Sequence, residues 1–225
     1  MEHLKCRACL SAVALAILAS GWAMAGPITI NNPGFEEAVT WNVVAPLYGS
    51  WSFTVPGWTG GAGPGYPNEA GVFRPLTPQP PAPPAIWTIV PAEGLNVAYS
   101  NTLTLSQVLG TALQPNTMYL LEVDVGGRAD YIPAGYKVQL LAGGNVLAEA
   151  MGVVNQPGWV PVSVSHNSGA VQPGQLLEIR LLHESGVQVD FDDVRLLEGV
   201  PEPAGFVLIG TGLIGLAVLS RRPRK

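Results

Sequence analysis

Tyr136-Lys137-Val138-Gln139-Leu140-Leu141-Ala142-Gly143-Gly144-Asn145-Val146-Leu147-Ala148 decides the fold. Tyr136, Val138 and Leu140 fall on one side of an extended chain, and Lys137 and Gln139 fall on the other. That period of two belongs to a half-buried strand, not to a helix. Gly143-Gly144 supplies the left-handed backbone that a two-residue hairpin requires, so the segment reads as two antiparallel strands.

The same texture continues outward. Tyr119, Leu121, Val123 and Val125 oppose Glu122 and Asp124. Leu177, Ile179 and Leu181 oppose Glu178 and Arg180, and Val189 and Phe191 oppose Gln188 and Asp190. Strands are expected at 28–31, 50–55, 96–100, 102–108, 117–126, 136–142, 145–150, 159–166, 176–183 and 187–197. Turn residues separate them, at Pro115-Asn116, Gln156-Pro157-Gly158, Pro173-Gly174 and Ser185-Gly186. This spacing predicts an all-β protein, a two-sheet antiparallel jelly-roll sandwich. One long excursion from Gly57 to Trp87 interrupts it, with a proline-rich stretch over 75–85 that cannot donate to a sheet ladder.

The two ends differ from the body. Residues 1–25 carry Lys5 and Arg7, an apolar run of about a dozen residues, and Ala23 and Ala25 in a small-x-small pattern. They read as a signal-peptide helix cut after Ala25. Residues 200–225 hold Pro201-Glu202-Pro203, an apolar run over 205–219 and a basic end with Arg221 and Arg222. About 15 helical residues span about 22 Å, a short transmembrane helix whose basic end stays in the cytoplasm. Residues 26–199 then form the single jelly-roll domain.

Charge and cysteine agree with export. The stretch 26–199 has five basic residues against fourteen acidic ones, a net charge of −9. Nucleic-acid binding, which needs a basic footprint, is excluded as an expectation. Cys6 and Cys9 both lie in the leader, so the processed chain has neither a disulfide nor a thiol nucleophile. His166 and His183 are isolated, without metal-ligand spacing.

Pro201-Glu202-Pro203, the Gly-containing apolar run and the Arg-rich end resemble the PEP-CTERM sorting signal. The resemblance implies recognition by an exosortase. The protein is then expected to be exported through the inner membrane and anchored there by the C-terminal helix. After processing it would lie at the cell surface or outside the cell.

The body resembles a second group. Ile30-Asn31-Asn32-Pro33-Gly34-Phe35-Glu36 opens it and Asp190-Phe191-Asp192-Asp193-Val194-Arg195-Leu196 closes it. Between lie Val55-Pro56-Gly57-Trp58, the run from Pro91 to Tyr99, and Asp124-Val125-Gly126. This ordered series is similar to carbohydrate-binding-module-like jelly rolls and to the calcium-dependent Stig cyclases. The resemblance implies a structural Ca²⁺ held by Glu36 and Asp192, with backbone carbonyls completing its shell. It also implies that Asp190, matching a general acid, would need burial to stay protonated.

Aromatic rings suit sugar stacking, and Trp87 and Tyr131 beside irregular loops are the binding candidates, with Lys137 and Arg180 as polar partners. Trp51 and Tyr99 are also available, whereas Trp58 and Trp159, beside turns, read as structural. The leading expectation is a non-enzymatic surface or matrix protein that binds exopolysaccharide on a concave face. A cyclase-like enzyme using Asp190 is the first alternative, and a purely structural matrix protein is the second.

Overall fold

The computed structural model describes residues 22–43, 50–60, 69–75, 89–170 and 174–201. Twelve strands and no helix occur among them. They are β1 (Trp22–Ile28), β2 (Asn42–Val43), β3 (Ser50–Ser52), β4 (Ala70–Arg74), β5 (Val97–Ser100) and β6 (Leu105–Ala112). Then follow β7 (Met118–Gly127), β8 (Ala134–Ala142), β9 (Asn145–Val154), β10 (Gly158–Asn167), β11 (Leu176–Ser185) and β12 (Val189–Pro201).

The strands form two sheets. The larger runs β10-β7-β12-β5-β4-β3-β2, with β1 also on β12, and the smaller runs β6-β11-β8-β9. The recorded registers are antiparallel. The Gly143-Gly144 hairpin joins β8 to β9, with positive φ at both glycines (56° and 81°).

Alternation builds the core. Tyr119, Leu121, Val123 and Val125 of β7 turn inward, opposite Leu177, Ile179 and Leu181 of β11 and Val138 and Leu140 of β8. All are essentially inaccessible to water, and burial of this kind drives folding. A second, smaller cluster lies apart from this core: Phe73, Ile89, Val97 and Tyr99, with Trp51 and Trp159 packed against it. Strand periodicity explains it. Val72 and Ala98 belong to the main core, so their neighbours Phe73, Val97 and Tyr99 project from the opposite face of the large sheet. Strand β5 is therefore buried at every position.

The sequence expectation missed β4, which lies inside the stretch read as a long loop. Its five residues sit between glycine- and proline-rich segments, so no alternation of useful length marks them. Strand β1 also begins at Trp22, inside the expected leader. The leader and tail helices fall on 1–21 and 202–225, outside the described residues. So do Trp87 and, of the sorting motif, Glu202, Pro203, Arg221 and Arg222. Residues Gly26–Glu198 cluster as one compact unit. Among the described residues no helix is long and apolar enough to cross a membrane.

The last strand carries a break in parity. Val189 and Phe191 point into the core, but so do Val194 and Leu196. Asp193 absorbs the shift with φ of 45°, a conformation that Asp tolerates better than most residues. Asp192 and Asp193 are thereby both kept out of the apolar core. Beyond the break, the Val194 N–H donates to Pro33 O at 3.1 Å, which ties the closing motif to the opening one.

Candidate functional site

The outward face of the large sheet carries a cavity of about 260 Å³. Its aromatic walls are Trp51 from β3, Phe73 from β4, Tyr99 from β5, and Tyr131 from the loop after β7. Phe73 and Tyr99 meet edge-on, 6.0 Å between ring centroids, an arrangement favoured by the ring quadrupoles. Its polar walls are Glu69, Asn101, Arg128 and Gln188.

A polar chain runs under one side. The Arg128 guanidinium, 3 % exposed, donates to both carboxylate oxygens of Asp130, at 3.1 and 2.5 Å. It stands 4.4 Å from the Tyr131 ring centroid and 5.7 Å from that of Phe73, within the range of a cation–π contact. Its third recorded bond runs from Nη1 to Gln188 Oε1 at 3.2 Å. Gln188 Nε2 then donates to Asp190 Oδ1 at 2.6 Å.

Asp190 is completely buried, and its Oδ2 has no hydrogen-bond partner. Burial pushes its carboxyl up to about 7, against the opposing pull of Arg128 and of the Gln188 bond; Asp130 adds to the rise. The acid beside the cavity therefore holds its proton to higher pH than a free carboxyl does. Burial also raises Glu69 and Tyr99, the phenol further because the Glu69 charge faces it.

At the other side Glu69 precedes β4 and Asn101 follows β5. The Asn101 N–H donates to Glu69 O at 2.9 Å, and Asn101 Nδ2 to Glu69 Oε1 at 3.1 Å. Asn101 Oδ1 is buried without a partner.

Glu36 and Asp192 meet the same loop. Glu36 Oε1 accepts the N–H groups of Leu95 and Asn96 at 2.8 and 2.7 Å. Asp192 Oδ2 accepts those of Ala92 and Glu93 at 2.9 and 3.0 Å, and Oδ1 that of Asp193 at 2.9 Å. Gly94, with φ of 60°, lets the loop pass against the Glu36 carboxylate, which a Cβ there would strike. Asp192 has no cationic partner among the recorded ion pairs. Burial, with Glu93 adding to it, pushes it up to about 7 despite the three amides. Glu36, Glu37 and Glu93 line an open cleft here with Asn32, Pro33 and Gly34. Among the described residues no group of three His, Cys, Asp or Glu side chains is gathered closely enough to hold a metal.

Of the residues singled out from sequence, Tyr131 lines the cavity and Asp190 lies behind Gln188. Lys137 and Arg180 do not join them. They stand on β8 and β11 of the smaller sheet, where Lys137 Nζ pairs with Glu184 at 2.8 Å and Arg180 Nε with Glu178 at 2.6 Å. Alternation placed both on a polar face, but it cannot say to which sheet that face belongs. Trp58 sits in the main core and donates to Asn32 O at 3.2 Å; Trp159 donates to Val90 O at 2.6 Å under the second cluster. Sequence reasoning missed Glu69, Phe73, Asn101 and Arg128. The i, i+2 spacing of Arg128 and Asp130 at the end of an apolar strand is the one signal that pointed to a fixed pair.

A two-sheet jelly roll with an aromatic cavity over a buried acid is the class of protein that this fold and site define. Residues 26–197 match the HpiC1-like family model, described as HpiC1 cyclase, and the chain belongs to that family. Among solved structures it is similar to the Stig cyclase Fisc from Fischerella sp. TAU in complex with (3Z)-3-(1-methyl-2-pyrrolidinylidene)-3H-indole. The identity is 30 % over 78 % of this chain and 98 % of that one, with a TM-score of 0.63. A cyclase from Fischerella sp. TAU in complex with 4-(1H-indol-3-yl)butan-2-one is similar at 29 % identity over 79 % and 99 %, with a TM-score of 0.61. A carbohydrate-binding module, CBM4, matches at 13 % identity over 75 % and 98 %, with a TM-score of 0.40. No curated protein matches the chain.

Proposed function

We propose that the protein is an exported, calcium-stabilised jelly roll whose outer cavity binds a flat aromatic small molecule. The aromatic-walled cavity itself carries this reading. Four rings line a space of about 260 Å³, which suits a compact ring system. The two Fischerella relatives hold indole-based ligands, which supports the same class here. Exopolysaccharide binding is the competing reading. The probe is 3-methylindole, followed by the fluorescence of the tryptophans. It is expected to bind, and Trp51→Ala and Tyr131→Ala are each expected to weaken it about tenfold. Binding of xylan or other oligosaccharides in its place would overturn the proposal.

A second reading, favoured by the unpartnered Asp190 Oδ2, makes this carboxyl a proton donor to the bound ligand, as in a cyclase. Gln188 stands between the two, so the Gln188 side chain must turn aside before the proton can pass. In the calcium part of the proposal, Glu36 and Asp192 hold the ion. The uncompensated charge of buried Asp192 fits a cation, and carbonyl oxygens would supply the rest of a shell of six to eight. Its role is to clamp the 91–96 loop between the opening and closing motifs.

Export rests on the ends of the sequence, with an exosortase as partner and membrane anchoring by residues 205–219 before processing. Mass spectrometry of the exported form is expected to show a chain beginning near Gly26 and ending near the Pro201-Glu202-Pro203 motif. An intact chain retained in the cytoplasm would refute this.

A further inference from the structure

We propose that the Glu69–Asn101 end of the cavity selects ligands that carry a protonated amine, so that the cavity takes an aromatic amine in preference to a neutral or acidic aromatic. The inference rests on the reading of the cavity as an aromatic-ligand site and specifies what that ligand must carry.

The hydrogen-bond inventory of this end is rich in acceptors. Asn101 has spent one amide donor on Glu69 Oε1, and the backbone bond between the two residues holds the pair at the ends of adjacent strands. Asn101 is 2 % exposed, yet its Oδ1 has no partner. Glu69, when ionised, offers only acceptors. The Glu69 carboxylate therefore presents acceptors at a site lined by rings. A neutral aromatic entering it takes water from the Glu69 carboxylate without replacing its hydrogen bonds, and a polar group so buried opposes binding. An ammonium supplies three donors and a charge opposite to that of Glu69.

The charge balance points the same way. Arg128 is the one cationic residue that lines the cavity among the described residues. Its guanidinium is bonded to both oxygens of Asp130 and to Gln188. Its charge is matched by Asp130, which leaves Glu69 as the unbalanced charge of the cavity. An anionic ligand would meet that carboxylate with no uncommitted cation to offset it.

Three probes share one ring and differ in charge: tryptamine, 3-ethylindole and indole-3-propionate, each titrated calorimetrically into the wild-type protein and Glu69→Gln at neutral pH. Tryptamine is expected to bind about tenfold tighter than 3-ethylindole, and indole-3-propionate weakest. Glu69→Gln is expected to erase the preference for tryptamine over 3-ethylindole. Equal affinity of wild type for tryptamine and 3-ethylindole, or a preference that survives in Glu69→Gln, overturns the amine inference and leaves the aromatic cavity standing. Failure of all three to bind overturns both. The wild-type series decides the matter even if the variant folds poorly.

Discussion

Asp190→Asn is expected to stabilise the protein at alkaline pH by about 2–4 kcal/mol relative to its effect at pH about 4. The sign follows from the two states. The Asp190 carboxyl rises from 3.8 to about 7 on folding because it is buried without a full set of partners. Below about pH 4 both states are protonated and the acid costs nothing. Between about 4 and about 7 the unfolded chain ionises while the folded chain holds its proton, so stability falls as pH rises. Above about 7 both are ionised and the loss is complete. A shift of about three pKa units corresponds to about 4 kcal/mol at most. The amide introduced by Asp190→Asn keeps an oxygen for Gln188 Nε2 and removes the charge, so its stability is expected to vary less with pH. Urea unfolding in chelated buffer at several pH values measures this. Wild-type stability that is flat or rising between about pH 4 and 7 would refute it.

Much of the fold was legible because a sandwich core imposes a period of two. Tyr119, Leu121, Val123 and Val125, or Leu177, Ile179 and Leu181, announce their buried side without reference to any other strand. What was hidden depends on partners distant in sequence. Phe73, Tyr99, Arg128 and Gln188 come from four separate regions and meet because β4, β5 and β12 are neighbours in one sheet. Strands β4 and β5 are buried on both faces, so they carry no alternation to read. Lys137 and Arg180 show the converse error. They have the right polarity and the right parity, but their strands lie in the other sheet. Asp190 was picked out by resemblance, whereas its lack of a direct cationic partner becomes visible only once Arg128 is seen committed to Asp130.

Asp192→Asn is expected to act oppositely to Asp190→Asn, although the two carboxyls lie two residues apart, are both inaccessible to water and both rise to about 7. Asp190 accepts one side-chain donor and leaves an oxygen bare. Asp192 accepts three backbone donors, two on Oδ2 and one on Oδ1. An asparagine has one oxygen, so whichever way its amide turns, an NH₂ group faces at least one backbone N–H. Hydrogen bonds to a charged acceptor contribute about 1.5–3 kcal/mol each, but residues 92 and 93 are exposed and their amides can return to water. The net loss is therefore about 2–4 kcal/mol, borne by the 91–96 loop and its grip on β12. Glu36 continues to hold Leu95 and Asn96, so the loop detaches at its first half only. Calcium adds a second readout. Addition of Ca²⁺ to chelator-treated wild type is expected to raise its melting temperature, because an ion bound only to the folded state stabilises it by mass action. In Asp192→Asn that rise disappears. A wild-type melting temperature that calcium does not move removes the ion from the account while leaving the three amide bonds in place. An unchanged stability of Asp192→Asn in chelated buffer removes the anchoring role itself.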